Sequence, residues 1–194
     1  MLKKYSILTY EIASTILVMI LGVTLHYVYD WSNNNTLVGI FSPIDESIWE
    51  HLKLLFFPMT LFTIIVYLMK GKDIPNYLCS KVLGIISSMI FTVIAFYTYS
   101  GILGSNYTFI DISLFFIAVI IGQVVAYRKI KAGGECNTQI AWRILVLVFM
   151  LFTIFTFVKP EIGLFMDPLV HQSFTQNHPP RVSIFPDCFN LLIS

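Results

Sequence analysis

Five long apolar runs constrain the fold of this chain more than any other feature of its sequence. They lie near residues 12–29, 52–69, 78–99, 109–127 and 140–158. Each run is long enough to cross a hydrocarbon layer of about 30 Å as an α-helix. The runs lack the alternation of apolar and polar residues that the strands of a transmembrane barrel require. The pattern therefore predicts an all-α fold, a polytopic transmembrane helical bundle of five spans.

The composition excludes the main alternatives to a membrane protein. Charged residues make up only 12% of the 194 residues, and hydrophobic residues make up 57%. Soluble domains carry about 25% charged residues, so this chain cannot cover a globular surface with charge. A disordered chain is excluded by the same apolar content. The partner that the composition indicates is the lipid bilayer.

The distribution of basic residues predicts the orientation of the bundle. With the N-terminus in the cytoplasm, nine of the twelve Lys and Arg residues lie on the cytoplasmic side: Lys3, Lys4, Lys70, Lys72, Lys81, Arg128, Lys129, Lys131 and Arg143. Only Lys53, Lys159 and Arg181 then lie outside. Since short cytoplasmic loops carry the excess of positive residues, we expect the N-terminus inside and the C-terminus outside.

The chain divides into one membrane domain and a polar tail. Residues 1–168 are expected to form a single transmembrane helical domain, and residues 169–194 a polar outer tail that is too short for a sixth span. Cys79 and Cys136 fall near the cytoplasmic face, where thiols stay reduced, and Cys188 falls on the other side. A disulfide framework is therefore not expected.

Small residues predict helix surfaces that pack closely against a neighbour. Ala118, Gly122 and Ala126 recur at four-residue spacing in the fourth apolar run, and Gly84 and Ser88 form a weaker version in the third. Small side chains at this spacing allow two helix backbones to approach closely within a membrane. We expect these two surfaces to lie in helix–helix interfaces.

Two polar residues interrupt the apolar runs. Glu11 lies at the start of the first run, where it is either interfacial or, if buried, a proton or ion site. Gln123 lies within the fourth run, and we expect its amide to form a hydrogen bond across a helix interface.

The segment from Ser42 to Lys53 is the most informative part of the chain. Ser42 followed by Pro43 is typical of a helix start, so a helix is predicted to begin there and continue into the second span. Glu46, Glu50 and Lys53 would then share one face of that helix, at spacings of four and three residues. The sequence thus predicts an acidic stripe where the second span enters the membrane.

These residues, together with the outer end of the first span, form the candidate site. His26 and Asp30 are four residues apart and share a helix face. The candidate binding residues are His26, Asp30, Glu46, Trp49, Glu50, His51 and Lys53, and further members on the same side are Asp111, Glu161, Asp167 and His171.

A divalent metal ion is the cofactor that these residue types indicate. The candidate ligands are His26, Glu50 and His51, because a catalytic zinc ion takes about three protein ligands from histidine and carboxylate and leaves one position for water. The histidines lack the H-E-x-x-H spacing of a zinc helix, so solvated interfacial histidines are the competing interpretation.

The stretch Glu46-Ser47-Ile48-Trp49-Glu50-His51-Leu52-Lys53 resembles a family of uncharacterised small multi-pass membrane proteins of clostridia and related bacteria. That family carries an E-S-x-W-E-H-x-K motif before a helix and a D-P pair near the outer end of the last helix, matched here by Asp167 and Pro168. The resemblance covers residues 1 to about 168. It implies a bacterial cytoplasmic membrane, and it implies that the motif residues form the defining site.

Three functions fit the sequence. The first is a small-molecule or ion binding component associated with transport, acting through an outward-facing acidic and histidine site. The second is a metal-dependent, membrane-embedded hydrolase at the outer leaflet, with Glu50 as general base. The third is a non-catalytic assembly or regulatory protein. Partners would be further membrane subunits or copies of the chain, and nucleic acid is not expected, since the basic residues are split between short loops.

Overall fold

The fold is known from a computed structural model that describes residues 2–166, and this part of the chain contains helices and no strand. The helices are α1 (Leu2–Trp31), α2 (Thr36–Gly39), α3 (Ile48–His51), α4 (Lys53–Met69), α5 (Tyr77–Leu103), α6 (Thr108–Ala132) and α7 (Thr138–Phe157), with 3-10 turns at Gly71–Asp73 and Gly163–Phe165.

Five helical segments of the described chain are long and apolar enough to cross a membrane. They are Ile7–Trp31, Ile48–Met69, Tyr77–Leu103, Thr108–Ala132 and Thr138–Phe157. The second of them joins α3 and α4 across Leu52. The prediction of an all-α, polytopic helical bundle is confirmed. Residues 167–194, which include Asp167, His171 and the predicted tail, lie outside the described residues.

The five spans alternate in direction and define two faces of the bundle. The N-terminal face carries the start of the chain and the connections 70–76 and 133–137, and the distal face carries 32–47, 104–107 and 158–166. Helix α5 lies centrally, against α4, α6 and α7, while α1 packs on α4 and α6. All segments of the candidate site therefore meet at the distal face.

The small residues of α5 and α6 lie in the contact between these two helices, so both surfaces are in a helix–helix interface as expected. Ala118 and Ala126 are fully buried. A Cβ atom added to Gly84 would lie 2.3 Å from the carbonyl oxygen of Gly122, and one added to Gly122 would lie 2.7 Å from that of Gly84. Only the Cα hydrogen atoms of these two glycines fit in the contact, so the two helix backbones touch there.

The start of the second span differs from the prediction. Ser47, and not Ser42, caps the helix, since the Ser47 hydroxyl accepts a hydrogen bond from the Glu50 amide. Ser42 instead bridges back to α1: its hydroxyl donates to the Leu25 carbonyl at 2.5 Å and accepts from the Tyr29 amide at 3.1 Å. A serine before a proline could serve either role, and the fold brings the end of α1 within its reach.

A disulfide corrects the expectation of free thiols. Cys79 and Cys136 are bonded, with their Cα atoms 5.8 Å apart. The connection between α6 and α7 folds back against the start of α5, where the Asn137 carbonyl also lies 3.8 Å from the Cys79 sulfur. Charge counting placed both residues on one side of the membrane, and it carried no information about this contact. The bond ties three spans together at the N-terminal face.

An apolar cleft of about 520 Å³ lies between α1, α4 and α7. Its lining is formed largely by aromatic and aliphatic side chains such as Phe41, Phe57 and Phe149. None of the seven candidate binding residues lines it. The cleft and the candidate site are thus separate features of the bundle.

Candidate metal centre

His51 is held in a defined orientation at the distal end of the second span. Its Nδ1 atom lies 3.0 Å from the carbonyl oxygen of Ser47, one helical turn earlier. A carbonyl oxygen only accepts hydrogen bonds, so Nδ1 carries a hydrogen. The Nε2 atom is then left to donate to a carboxylate when the ring is protonated, or to offer its lone pair to a metal ion when the ring is neutral. Histidines that bind metal ions are commonly oriented in this way.

The Nε2 atom of His51 is directed at Glu46, which in turn lies beside His26. Nε2 of His51 is 3.3 Å from Oε2 of Glu46, and Nε2 of His26 is 4.0 Å from Oε1. The two imidazole ring centres are 5.3 Å apart. We call His26, Glu46 and His51 the histidine–glutamate cluster. It joins α1, the distal connection 32–47 and α3.

The spacing of the cluster is close to that of a metal site. One nitrogen or oxygen atom from each of the three residues lies within 4.8 Å of the others. Ligand atoms bound tetrahedrally at about 2.0–2.1 Å from a zinc ion are about 3.3 Å from each other, so side-chain movements of about 1 Å would close the set. The three side chains are 27–47% exposed, which leaves the cluster open to water from the distal face.

Further acidic groups surround the cluster. Asp30 is exposed one turn beyond His26 on α1, and its charge acts on that ring. Asp111, at the start of α6, acts electrostatically on both His51 and Glu46. The hydroxyl of Tyr99 donates to Asp111 Oδ1 and accepts from the Tyr107 amide at 3.3 Å. The surroundings therefore favour a cation.

The charge state of Glu46 follows from its two histidine neighbours. The hydrogen bond from His51 lowers the pKa of Glu46 below its usual value, burial opposes the change, and the charges of His51 and His26 add to the lowering. Glu46 is therefore a carboxylate at neutral pH, which is the form that binds a metal ion.

A second cluster lies behind the first, fully buried within the protein. Lys53 Nζ donates to Glu50 Oε2 at 2.6 Å and to the Gly39 carbonyl at 2.7 Å, with the Ser42 carbonyl at 3.5 Å. Glu50 Oε2 also accepts from the Ile44 amide at 3.1 Å. These bonds attach the connection 32–47 to the helix that follows it. The pair thus positions Glu46.

Lys159, which follows α7, extends this cluster to a partly exposed edge. It forms an ion pair with Asp45, and its Nζ lies 3.7 Å from Glu50 Oε1. Burial alone would raise the pKa of Asp45, but hydrogen bonds from Lys159 and Ser47 hold it below its usual value. Two cations face two carboxylates, so the cluster is balanced in charge, and it connects α7 to the distal connection.

The structure therefore divides the candidate residues among three environments. His26, Glu46 and His51 converge, and Asp30 flanks them. Glu50, a predicted metal ligand, is engaged instead by Lys53 and the Ile44 amide.

Trp49 lies away from both clusters. Its ring packs on three phenylalanines near the end of α7, with ring centres 4.8–5.5 Å apart: Phe152, Phe155 and Phe165. Glu161 is exposed beyond α7. Trp49 is therefore a packing residue of the distal face.

Lys159 and Tyr99 were not identified from the sequence as members of the site. Lys159 is an isolated cation on the predicted acidic side, directly before Pro160, and that contrast was the only signal available. Tyr99 carried no signal, because tyrosine is expected at the end of any span.

A family comparison bears on the whole membrane domain. Residues 3–173 match the model of a family of unknown function (DUF6512). The chain belongs to this family. The DUF6512 match includes all five spans and every residue of both clusters. No curated protein and no solved structure matches the chain.

Proposed function

We propose that this DUF6512 protein binds a divalent transition-metal ion at the histidine–glutamate cluster, as an ion-binding component associated with transport. The observation that carries the proposal is the convergence of two imidazoles and one carboxylate from separate segments, with His51 oriented by the Ser47 carbonyl. Imidazole and carboxylate together suit zinc and neighbouring first-row metals. Glu46 replaces Glu50 in the ligand set.

The proposal also includes the orientation of the bundle and the membrane in which it lies. The N-terminus is cytoplasmic, and the distal face with its metal site is outside, in a bacterial cytoplasmic membrane. The positive-inside distribution supports the orientation, although the Cys79–Cys136 disulfide lies at the face placed in the cytoplasm, where thiols usually stay reduced. The resemblance of residues 46–53 to the E-S-x-W-E-H-x-K motif of clostridial proteins supports the membrane. The chain acts with copies of itself or with partner subunits, since five spans without an inverted repeat do not make a complete alternating-access carrier.

The test is metal binding by the purified full-length protein in detergent. Zinc is titrated calorimetrically into chelator-treated wild type, Glu46→Gln and His51→Ala, with Glu161→Gln as the matched control on an exposed acid of the same face. We expect one ion per chain for wild type and control, and affinity weaker by about tenfold or more in the two cluster variants. Equal zinc binding by wild type and both cluster variants would overturn the proposal.

A metal-dependent hydrolase is the second candidate. Two histidines, one carboxylate and an open position form the ligand set of several catalytic zinc sites. Glu50 is fully buried and ion-paired with Lys53, which makes it a poor general base for a water molecule at the cluster. Hydrolysis of ester or phosphoester amphiphiles by zinc-loaded protein, abolished by chelation and by Glu46→Gln, would favour this candidate. Zinc binding without turnover favours the transport-associated role. If the protein neither binds zinc nor hydrolyses a substrate, the assembly role is favoured.

A further inference from the structure

A separate ionic cluster is buried between three spans near the N-terminal face. Glu11 of α1, Lys81 of α5 and Gln123 of α6 are each 5% exposed or less. Lys81 Nζ donates to Glu11 Oε2 at 2.7 Å and to Gln123 Oε1 at 2.5 Å. The alternative in which Glu11 is buried is thus the observed one, and the predicted interhelical hydrogen bond of Gln123 is present.

The cluster lies inside the membrane-spanning part of the bundle. Glu11 is four residues into the span that begins at Ile7, and Lys81 is four residues into the span that begins at Tyr77. Four residues correspond to about 6 Å of helical rise. Ionisable groups at this depth are costly, and in a membrane protein they usually mark the path of an ion or proton.

Stability does not account for the pair. A buried ion pair is often no more stable than apolar side chains of similar volume, because both charges lose their hydration. Small residues elsewhere already specify the contact of α5 with α6. The cost of burying Glu11 and Lys81 therefore indicates a function of the charges themselves.

One oxygen of the Glu11 carboxylate has no hydrogen-bond partner. Within the described chain, Glu11 Oε1 and the Tyr77 hydroxyl are buried without a hydrogen-bond partner. Tyr77 precedes Lys81 by one helical turn, so its hydroxyl and the cluster share a face of α5, on the side of the N-terminal face. An unpartnered carboxylate oxygen in a water-poor environment carries a large desolvation cost, which binding a proton removes.

We propose that Glu11 is a proton-binding site that exchanges with water at the N-terminal face. Oε2 is engaged by Lys81, so the proton adds to Oε1: a hydronium ion transfers one proton, the O–H bond forms, and a water molecule is returned. Lys81 keeps its charge and its bond to Gln123. Release of the proton to water restores the ion pair.

The neighbouring groups make a proton the suitable ligand. Lys81 already places a positive charge 2.7 Å from the single carboxylate, which opposes the binding of any cation. A proton forms a covalent bond with Oε1, whereas a metal ion would have only this one carboxylate as a charged ligand. Among the residues whose side chains are described, the charged ones of this face outside the cluster are exposed: Lys70, Lys72, Asp73, Arg128, Lys129, Lys131, Glu135 and Arg143. The titratable residues of the apolar cluster at this end of the bundle are tyrosines, one each from α1, α4, α5 and α6: Tyr10, Tyr67, Tyr77 and Tyr127. Their neutral hydroxyl groups do not compete with Glu11 for the proton.

The test is an infrared pH titration of the full chain in lipid nanodiscs, without metal. A protonated carboxyl group absorbs infrared light at a different frequency from a carboxylate. We expect a carboxyl band that appears reversibly as the pH falls within the range where the protein stays folded. The band is lost in Glu11→Gln and kept in Glu135→Gln, an exposed glutamate near the same face.

Two further variants keep the test decisive if Glu11→Gln does not fold. Glu11→Asp should retain the band at a shifted frequency and midpoint. Lys81→Gln removes the compensating cation, so the band should persist to higher pH. Absence of any carboxyl band in folded wild type, or a band that is unchanged in Glu11→Asp and Lys81→Gln, would overturn the proposal. Neither outcome depends on metal binding at the distal face.

Discussion

Lys53 Nζ lies 2.6 Å from Glu50 Oε2, and neither side chain is exposed. The pair links the helix of the second span to the connection 32–47, because Lys53 also donates a hydrogen bond to the Gly39 carbonyl. The motif segment is therefore partly structural: two of its charged residues hold the loop that carries Glu46.

Replacing Lys53 by methionine should destabilise the protein strongly. The substitution removes the cation bonded to Glu50 Oε2 and leaves only Lys159, 3.7 Å from Oε1. Loss of one partner of a buried ion pair costs about 3–5 kcal/mol of unfolding free energy. Chemical unfolding in detergent measures the loss. Lys72→Met, at an exposed lysine, serves as the control and should change little. The double variant Glu50→Gln/Lys53→Met should recover part of the loss, and a double variant no better than Lys53→Met would contradict the assignment.

The contribution of Glu46 to stability should depend on pH. Because the pKa of Glu46 is lowered in the folded protein, its interaction with the histidines is fully present above the normal pKa of a glutamate. The contribution is lost as the pH falls through the lowered value. The melting temperature of the metal-free wild type should thus be higher than that of Glu46→Gln near neutral pH. In acid the two melting temperatures should converge. A constant difference at all pH values would rule out this linkage.

The contact of α5 with α6 should not tolerate a single added methyl group. In Gly84→Ala the new Cβ atom would lie 2.3 Å from the Gly122 carbonyl oxygen, so the helices must separate at a cost of about 1–3 kcal/mol. Gly101→Ala is the control on the same helix, since nothing lies within 4 Å of its added Cβ. Thermal unfolding should show a loss for the first and none for the second.

The disulfide should be detectable by thiol labelling. In a Cys188→Ser background, a maleimide reagent should modify neither remaining cysteine before reduction and both after it. Because the bond closes a loop of 57 residues, Cys79→Ser should lower the unfolding free energy by about 4 kcal/mol. Cys136→Ser should have the same effect, without further loss in the double variant. Two reactive thiols in unreduced protein would contradict the bond.

The sequence predicted the features that depend on the order of residues along one helix. Apolar runs of membrane-spanning length predicted the five helices, and Ala118, Gly122 and Ala126 at four-residue spacing predicted the close surface of α6. The prediction of a helix start at Ser42 was wrong, because a serine can cap a helix or bond to a distant carbonyl, and the local sequence does not distinguish the two.

The grouping of the charged residues depended on contacts between distant segments. The spacing of Glu50 and His51 from His26 along the chain cannot show which carboxylate faces the imidazoles, because Glu46 precedes the helix and its position is set by the loop. Lys159 meets Asp45 across 114 residues, and Lys81 meets Glu11 across 70.

The sequence by itself determined that this protein is a helical membrane protein with a polar segment before its second span. Apolar length and helical period are local properties, and they suffice for that conclusion. Only the tertiary structure decided which charges are paired, buried or open to water. Buried charges in a membrane bundle are paired, largely with groups on other segments. The packing of the helices determines which groups are close enough to form these pairs.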